Sequence, residues 1–159
     1  MSQDARFEDG DERPLNIGAF NQHDLAVVST LIQDAVLPIT EISWWSKHHR
    51  LGLLVNRFRW EDRDKAVHQG RPFERVQSLL LVDNVVSVSS QSIDRKQSGL
   101  ILSLLSLDMV EADNSDFDLS ITFAGDGVLK AQVEAIEVRL KDVTRPYLAH
   151  SSQTPKHPE

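Results

Sequence analysis

Arginine side chains are concentrated in one short part of this chain, and a guanidinium group is well suited to binding an anion. Residues 56–61 read Asn-Arg-Phe-Arg-Trp-Glu, and a further arginine follows at position 75. Side chains alternate between the two faces of a strand, so a strand that directs Phe58 and Trp60 inward directs Arg57 and Arg59 outward. We therefore predict an exposed cationic binding surface formed by Arg57, Arg59 and Arg75.

The charge of the chain is unevenly distributed. Residues 47–75 hold eight Lys or Arg against four Asp or Glu, whereas the whole chain has a net charge of −7. A basic surface on an acidic protein is suited to an acidic protein partner, a small anion or self-association of unlike faces. The negative net charge disfavours nucleic-acid binding. A solvated rim of interleaved ion pairs is the alternative interpretation of these residues.

Other residue types that carry chemistry are present without the spacing that a reaction requires. His48 and His49 are adjacent, so on an extended segment they point to opposite faces, and no carboxylate has ligand spacing to them or to His68. No Gly-x-Ser-x-Gly motif positions a nucleophilic serine. We therefore predict no metal, no cofactor and no catalytic residue.

The first part of the chain predicts a strand followed by a helix. Residues 14–20 alternate apolar with small or polar side chains, which is typical of a short strand. Asn21 then caps a helix with one apolar stripe, which ends near Leu37, just before a proline. Asp34 is unfavourable for the dipole at the end of this helix. We therefore predict that Asp34 forms a structural ion pair with Arg57 or Arg75.

Beyond the proline, the apolar period changes from 3.6 to 2. Residues 42–45 and 51–60 predict a hairpin joined by a polar turn. If Trp44 faces the core, the alternation directs Trp45 to solvent near the cations, where a large ring suits a protein or ligand contact. We therefore add Trp45 to the predicted binding residues.

A charged loop and a second hairpin are predicted next. Residues 61–72 carry the charged residues of the loop. Residues 75–82 and 85–91 alternate on either side of Asp83-Asn84, a two-residue connection that accepts positive φ in a type I′ turn. The pattern therefore predicts that these two strands pair with each other.

The last elements are predicted as strands. Residues 100–110 fit a buried strand, although a short buried helix has the same apolar content. Residues 117–123 alternate strictly, and residues 125–127 read as a hairpin turn. Residues 128–143 fit either a helix or a strand, and we favour a strand with a bulge near Ala135.

These elements predict one α+β domain over residues 14–147, in which an N-terminal strand and helix pack on a mostly antiparallel sheet of about seven or eight strands built from successive hairpins. Residues 1–13 and 148–159 are predicted to be flexible tails. The chain has no cysteine. No apolar run approaches the roughly 20 residues of a membrane span, and the N-terminus does not read as a secretory signal. We therefore expect a cytoplasmic protein without a membrane partner.

Several separated motifs follow one another along nearly the whole chain: Pro14-Leu15, Leu31-Ile32-Gln33-Asp34-Ala35-Val36, Asn56-Arg57-Phe58-Arg59-Trp60-Glu61, Glu74-Arg75-Val76-Gln77-Ser78-Leu79 and Phe123-Ala124-Gly125-Asp126-Gly127. In this order they resemble the alphaproteobacterial family DUF2948. The resemblance implies a source and domain boundaries. It implies no reaction, because the family carries no assigned activity.

Two functions are consistent with these observations. The first is a noncatalytic cytoplasmic binding or protein-interaction module that uses the arginine-rich strand face together with Trp45. The alternative is an anionic-ligand-binding protein or enzyme with an arginine-lined pocket under the 61–72 loop. A flat cationic face favours the first function, and a concave pocket with convergent arginines and a carboxylate favours the second.

Overall fold

A computed structural model describes residues 13–148 of the 159-residue chain. The predicted tails therefore lie outside the described residues, apart from Arg13 and Leu148. The described part holds two α-helices, α1 (Gln22–Leu31) and α2 (Arg63–Gln69), and eleven strands. The strands are β1 (Asn16–Ala19), β2 (Val36–Pro38), β3 (Ile42–Trp45), β4 (Arg50–Phe58), β5 (Glu74–Val82), β6 (Val85–Gln91), β7 (Ile101–Glu111), β8 (Phe117–Phe123), β9 (Val128–Val133), β10 (Val138–Asp142) and β11 (Tyr147–Leu148).

The strands form two sheets that are connected into one continuous order of hydrogen-bonded neighbours. The first has the order β1-β10-β5-β4-β2 and the second β7-β8-β9-β6, and β2 joins them by pairing with both β4 and β7. The short strands β3 and β11 pair with β4 and β5. Each of these pairings is antiparallel, which confirms the predicted mostly antiparallel sheet. The predicted number of strands was too low, because strands as short as β2 and β11 leave no periodic pattern in the sequence.

Both sheets and α1 contribute side chains to one apolar core. Leu53 and Leu80 come from the first sheet, Leu104 and Ile121 from the second, and Leu25 from α1. Burying the apolar surface of these side chains supplies most of the free energy that favours folding. The core therefore fixes which face of each strand points inward.

The start of α1 agrees with the prediction, but its end does not. Asn21 caps the helix by accepting a hydrogen bond from the Asp24 amide at 2.8 Å, and the predicted stripe is buried at Leu25, Val28, Ile32 and Ala35. The helix ends at Leu31 and not near Leu37. The Asp34 amide instead donates to the Leu104 carbonyl at 2.9 Å. Backbone hydrogen bonds to β7 therefore replace those of the helix after Leu31, and the chain continues as β2.

The predicted second hairpin is wrong. Asn84 does adopt a positive φ of 61°, but β5 pairs with β4, β10 and β11, whereas β6 pairs with β9. Residues 83–84 therefore carry the chain from the first sheet to the second. A turn sequence predicts local geometry, but the pairing partner of a strand is chosen by contacts distant in the chain.

Residues 128–143 are extended, as we favoured, but they form two strands and not one bulged strand. The chain leaves β9 after Val133 and enters β10 at Val138, which lies in the other sheet. This crossing is hydrogen-bonded to the first one, since the Glu134 amide donates to the Asn84 carbonyl and the Asp83 amide donates to the Glu137 carbonyl, each at 3.0 Å. The two crossings therefore support each other.

Other local predictions hold. β3 and β4 form the predicted first hairpin, residues 100–110 form a strand and not a helix, and β8 and β9 are joined around Gly125 and Asp126, which both have positive φ. The predicted 61–72 loop is wrong in part. A 3-10 turn and α2 occupy most of it, and Gly70 ends α2 with a φ of 65°.

Candidate functional site

Arg57 is buried, so the predicted exposed row of cations is wrong at its first member. Its side chain is 0% exposed. Leu51, Leu53 and Val55 of β4 face the core, and strand alternation places Arg57 on this same inner face. The prediction assumed that Phe58 marked the core face, but Phe58 is buried on the opposite side of β4.

Carboxylates neutralise Arg57 inside the protein. Its Nη2 lies 3.0 Å from Asp142 Oδ1 and 2.7 Å from Glu61 Oε2, and its Nε donates to Ser78 Oγ at 2.9 Å. Burial alone lowers the pKa of Arg57, but the hydrogen bonds and charges of Glu61 and Asp142 outweigh it and raise the pKa above its ordinary value. Arg57 is therefore permanently charged and structural.

Asp142 joins three separate parts of the first sheet. Besides the contact with Arg57, its Oδ1 accepts from Ser78 Oγ at 2.6 Å and its Oδ2 accepts from the Leu15 amide at 2.9 Å. Asp142 thereby connects β10 with β5, β4 and the segment before β1. We call this hydrogen-bonded group the inner arginine network; it consists of Arg57, Glu61, Ser78 and Asp142. It links these strands to one another at the edge of the core.

Arg59 is also removed from solvent, with 4% of its surface exposed. Its Nη1 donates to Glu74 Oε1 and lies 3.6 Å from Asp62 Oδ2. Asp62 in turn accepts two hydrogen bonds from Arg71, each at 2.7 Å. These ion pairs hold the turn and α2 against β5, so they serve the fold and do not present a cationic face.

Asp62 should make stability sensitive to acid. Burial raises its pKa, but the hydrogen bond from Arg71 and the charges of Arg59 and Arg71 outweigh this, and the pKa of Asp62 lies below its ordinary value. A lowered folded-state pKa contributes stability above the unfolded pKa of about 3.9, and the contribution is lost as pH falls through the lower folded value. We expect Asp62→Asn to be less stable at pH 6, and its difference from the wild type to shrink below about pH 4.

Urea unfolding between pH 2 and pH 6 measures this difference. Asp64→Asn is the matched control, because its carboxylate is fully exposed and its nearest arginine nitrogen is 3.7 Å away. A difference between Asp62→Asn and the wild type that stays constant with pH would show that Asp62 does not titrate with a lowered pKa.

Arg75 lies on the outer face of β5 and is half-buried. Its Nε donates to Asn56 Oδ1 at 2.6 Å and its Nη2 to the Asn56 carbonyl at 3.2 Å. Burial lowers the pKa of Arg75, and the opposing effects of Tyr147 and Asp34 only reduce the shift. Asp34 was predicted to pair with Arg57 or Arg75. Its charge affects the pKa of Arg75, whereas Asp34 is not among the causes that shift the pKa of Arg57.

Trp45 is exposed at the surface, as predicted, with 44% of its area accessible. Its ring lies so close to Gly52 that a Cβ there would be 2.8 Å from Trp45 Cζ3. Trp44 is not in the core but is 37% exposed. The two tryptophans therefore flank the end of the first hairpin on both sides.

A cavity of about 320 Å³ lies between β3 and β6. Among the described residues β3 pairs only with β4 and β6 only with β9, so the outer edges of both strands are unpaired beside it. We call this region the seam. Its lining is mainly apolar and consists of Ile39, Thr40, Ile42, Trp44, Leu51, Val88, Ser89, Ser90, Ile93, Arg95, Ser98 and Leu129.

The comparison with protein families decides the affiliation of the chain. A family model described as "Protein of unknown function (DUF2948)" matches residues 15–157. The chain belongs to the DUF2948 family. No curated protein and no solved structure matches it.

A second cleft of this DUF2948 protein, of about 290 Å³, contains the adjacent histidines. His48 and His49 line it with Arg50, Asp83, Asn84, Glu134 and Glu137. His49 has a φ of 53° and its Nδ1 lies 3.1 Å from the Val85 carbonyl, which ties the first hairpin to the start of β6. Within residues 13–148, no group of three or more His, Asp or Glu side chains is placed to hold a metal ion. No helix in that range is both long and apolar enough to span a membrane.

The seam of the DUF2948 fold was missed by reasoning from the sequence. One signal was present, because β6 reads Val-Val-Ser-Val-Ser-Ser-Gln and has neither a charged residue nor a proline. Edge strands are usually protected by such residues. The signal is readable only once β6 is known to be an edge strand, and the predicted pairing with β5 concealed this.

Proposed function

We propose that this DUF2948 protein is a noncatalytic protein-interaction module, and that its binding site is the seam and not the arginine-rich strand face. The observation that carries the proposal is an apolar cavity flanked by two unpaired strand edges. An extended segment of a partner protein can pair its backbone with such an edge while one of its side chains fills the cavity.

The edge of β6 supports this mode of binding. On the side away from β9, β6 makes one backbone hydrogen bond within the described residues. The Val85 amide donates to the His49 carbonyl at 2.9 Å. Beyond Val85, β6 continues for six residues without a charge or a proline. An unprotected edge of this kind is a template for another strand.

The lining of the cavity indicates the chemistry of the partner. A volume of about 320 Å³ is at the lower end of ordinary ligand sites, and it suits one or two large apolar side chains. Arg95 is the charged residue at its exposed rim. The favoured partner therefore presents a large apolar residue next to an acidic one, in keeping with the acidic partner expected from the sequence.

The same lining supports binding without catalysis. It contains no carboxylate, imidazole or lysine among the described residues, so no side chain in the cavity is suited to act as a general base. The arginines predicted to bind an anion, Arg57 and Arg59, are engaged in buried ion pairs. A cytoplasmic location is part of this proposal and is consistent with the absence of cysteine.

Photo-crosslinking tests the proposal. We expect a benzoylphenylalanine at position 44 to crosslink one partner in the native extract, whereas the same residue at Val67, exposed on α2, does not. The crosslinked segment should contain an apolar residue next to an acidic one, and a synthetic peptide of that segment should bind the purified protein. Crosslinking to a second copy of the chain would show that the seam is a self-association site.

Charge at the edge of β6 provides a matched pair of variants. Ser89 lines the cavity and is exposed, and its cross-strand neighbour is Lys130, so a glutamate is tolerated there. We expect Ser89→Glu to weaken peptide binding at least about tenfold, because its charge opposes the acidic partner at the cavity. Ser87→Glu, on the same strand outside the cavity, should bind as the wild type does. Equal affinity of all three proteins would contradict the proposal.

A further inference from the structure

Arg75 differs from the other arginines of its region in the chemistry of its partners. Arg57, Arg59 and Arg71 each donate to at least one carboxylate. Arg75 donates only to the side chain and carbonyl of Asn56, which are neutral, and its Nη1 has no hydrogen-bond partner within residues 13–148. A half-buried guanidinium whose hydrogen-bond partners are neutral keeps donor capacity for an anion, even though the charge of Asp34 also acts on it.

Tyr147 supplies a second donor beside this guanidinium. It is the cross-strand neighbour of Arg75 in the β11–β5 pair, so both side chains lie on one face of the sheet. The Asn56 amide connects them, because its Oδ1 accepts from Arg75 and its Nδ2 donates to Tyr147 Oη. Tyr147 therefore acts as an acceptor in this chain of hydrogen bonds. Its own proton has no acceptor in the described part of the protein and is available to a ligand.

The surroundings make these donors rigid and partly dry. Phe58 is the cross-strand neighbour of Arg75 on β4, and its ring is packed against Trp60, with centroids 4.7 Å apart. Trp60 Nε1 donates to the Gln33 carbonyl at 2.9 Å, which holds the turn that carries Asp34. Burial strengthens an ionic contact, and fixed donors bind an anion with less loss of entropy.

We propose that Arg75 and Tyr147 form a binding site for the carboxylate group of a small molecule, separate from the seam. A guanidinium nitrogen and a phenolic hydroxyl both donate to a planar carboxylate. The charge of Asp34 acts on Arg75, and the protein as a whole is acidic. Both effects oppose a dianion, so a carboxylate should bind more tightly than a phosphate.

The only tyrosine of the chain gives this site its own spectroscopic signal. Protein labelled with 3-fluorotyrosine has a single ¹⁹F resonance, at position 147. Titration with acetate at constant ionic strength, balanced with chloride, should shift this resonance along a saturating curve. Phosphate at the same concentration should shift it less. A resonance that responds equally to acetate, phosphate and chloride would overturn the proposal.

Variants separate the site from a general effect of salt. Arg75→Gln should weaken acetate binding at least about tenfold, the usual loss for a charge-assisted hydrogen bond. Arg63→Gln, which removes the same charge at an exposed position of α2, should leave the titration unchanged. If Arg75→Gln fails to fold, Tyr147→Phe retains the ring and removes only the hydroxyl. Acetate should then raise its melting temperature less than that of the wild type, and an undiminished increase would contradict the role of Tyr147.

Discussion

Replacing Arg57 by alanine should lower the free energy of unfolding by about 3 to 5 kcal/mol, the usual result of removing one partner from a buried ion pair. The variant would leave Asp142 inside the protein with its charge uncompensated, since this carboxylate is 3% exposed. It would also release Glu61, which lies 2.7 Å from Arg57 Nη2. Urea denaturation at neutral pH measures the loss.

Arg50→Ala is the matched control for this prediction. Arg50 forms an equally short ion pair, 2.7 Å from Asp83, but its side chain is 46% exposed. An exposed pair contributes at most about 1 kcal/mol. A similar loss in the two variants would mean that burial does not set the strength of the inner arginine network. Arg57→Lys should fall between them, because a single ammonium cannot reproduce the forked contacts to Glu61 and Asp142.

Phe58→Ala should cost about 3 to 5 kcal/mol, the range for truncating a buried aromatic side chain. Phe58 is 1% exposed and contacts Trp60 and Phe73, with ring centroids 4.7 Å and 5.7 Å away. These rings pack on the outer face of β4, on the side away from the main core. Thermal and urea unfolding should both detect the loss.

Phe20→Ala is the control, because Phe20 is 58% exposed and removing its ring should cost well under about 2 kcal/mol. Phe58→Ala should also weaken acetate binding, since Phe58 supports Trp60 and thereby the turn beside Arg75. A Phe58→Ala protein as stable as Phe20→Ala would contradict the role of this aromatic cluster.

Elements defined by neighbouring residues were predictable from the sequence. Asn21 caps α1, β3 pairs with β4, and β8 pairs with β9 around Gly125. In each case the cap, the turn and the apolar period lie within about twenty residues and act through local hydrogen bonds and backbone conformation. The strand β7 was also predicted, but not its pattern of burial, because Ile101, Leu105 and Val110 are exposed while Leu102, Leu104 and Leu107 are buried.

The errors in strand pairing lie where the chain changes sheets. A hairpin at Asp83-Asn84 and a bulge near Ala135 were reasonable from local geometry, and both places are turns or breaks in the structure. They are crossings between the two sheets, hydrogen-bonded to each other over about fifty residues of chain. Such a contact forms only when both sheets assemble, so no local pattern encodes it.

The sequence by itself determined the residue types of this DUF2948 protein, its local elements and its family. Only the tertiary structure decided the role of each arginine. Arg57 of β4 is paired with Val76 of β5, and Arg75 of β5 is paired with Phe58 of β4. The two arginines therefore lie on opposite faces of the paired strands. One face meets Asp142 from β10 and the other meets Tyr147 from β11. Alternation separates the two arginines, but which face is buried depends on strands that join from distant parts of the chain.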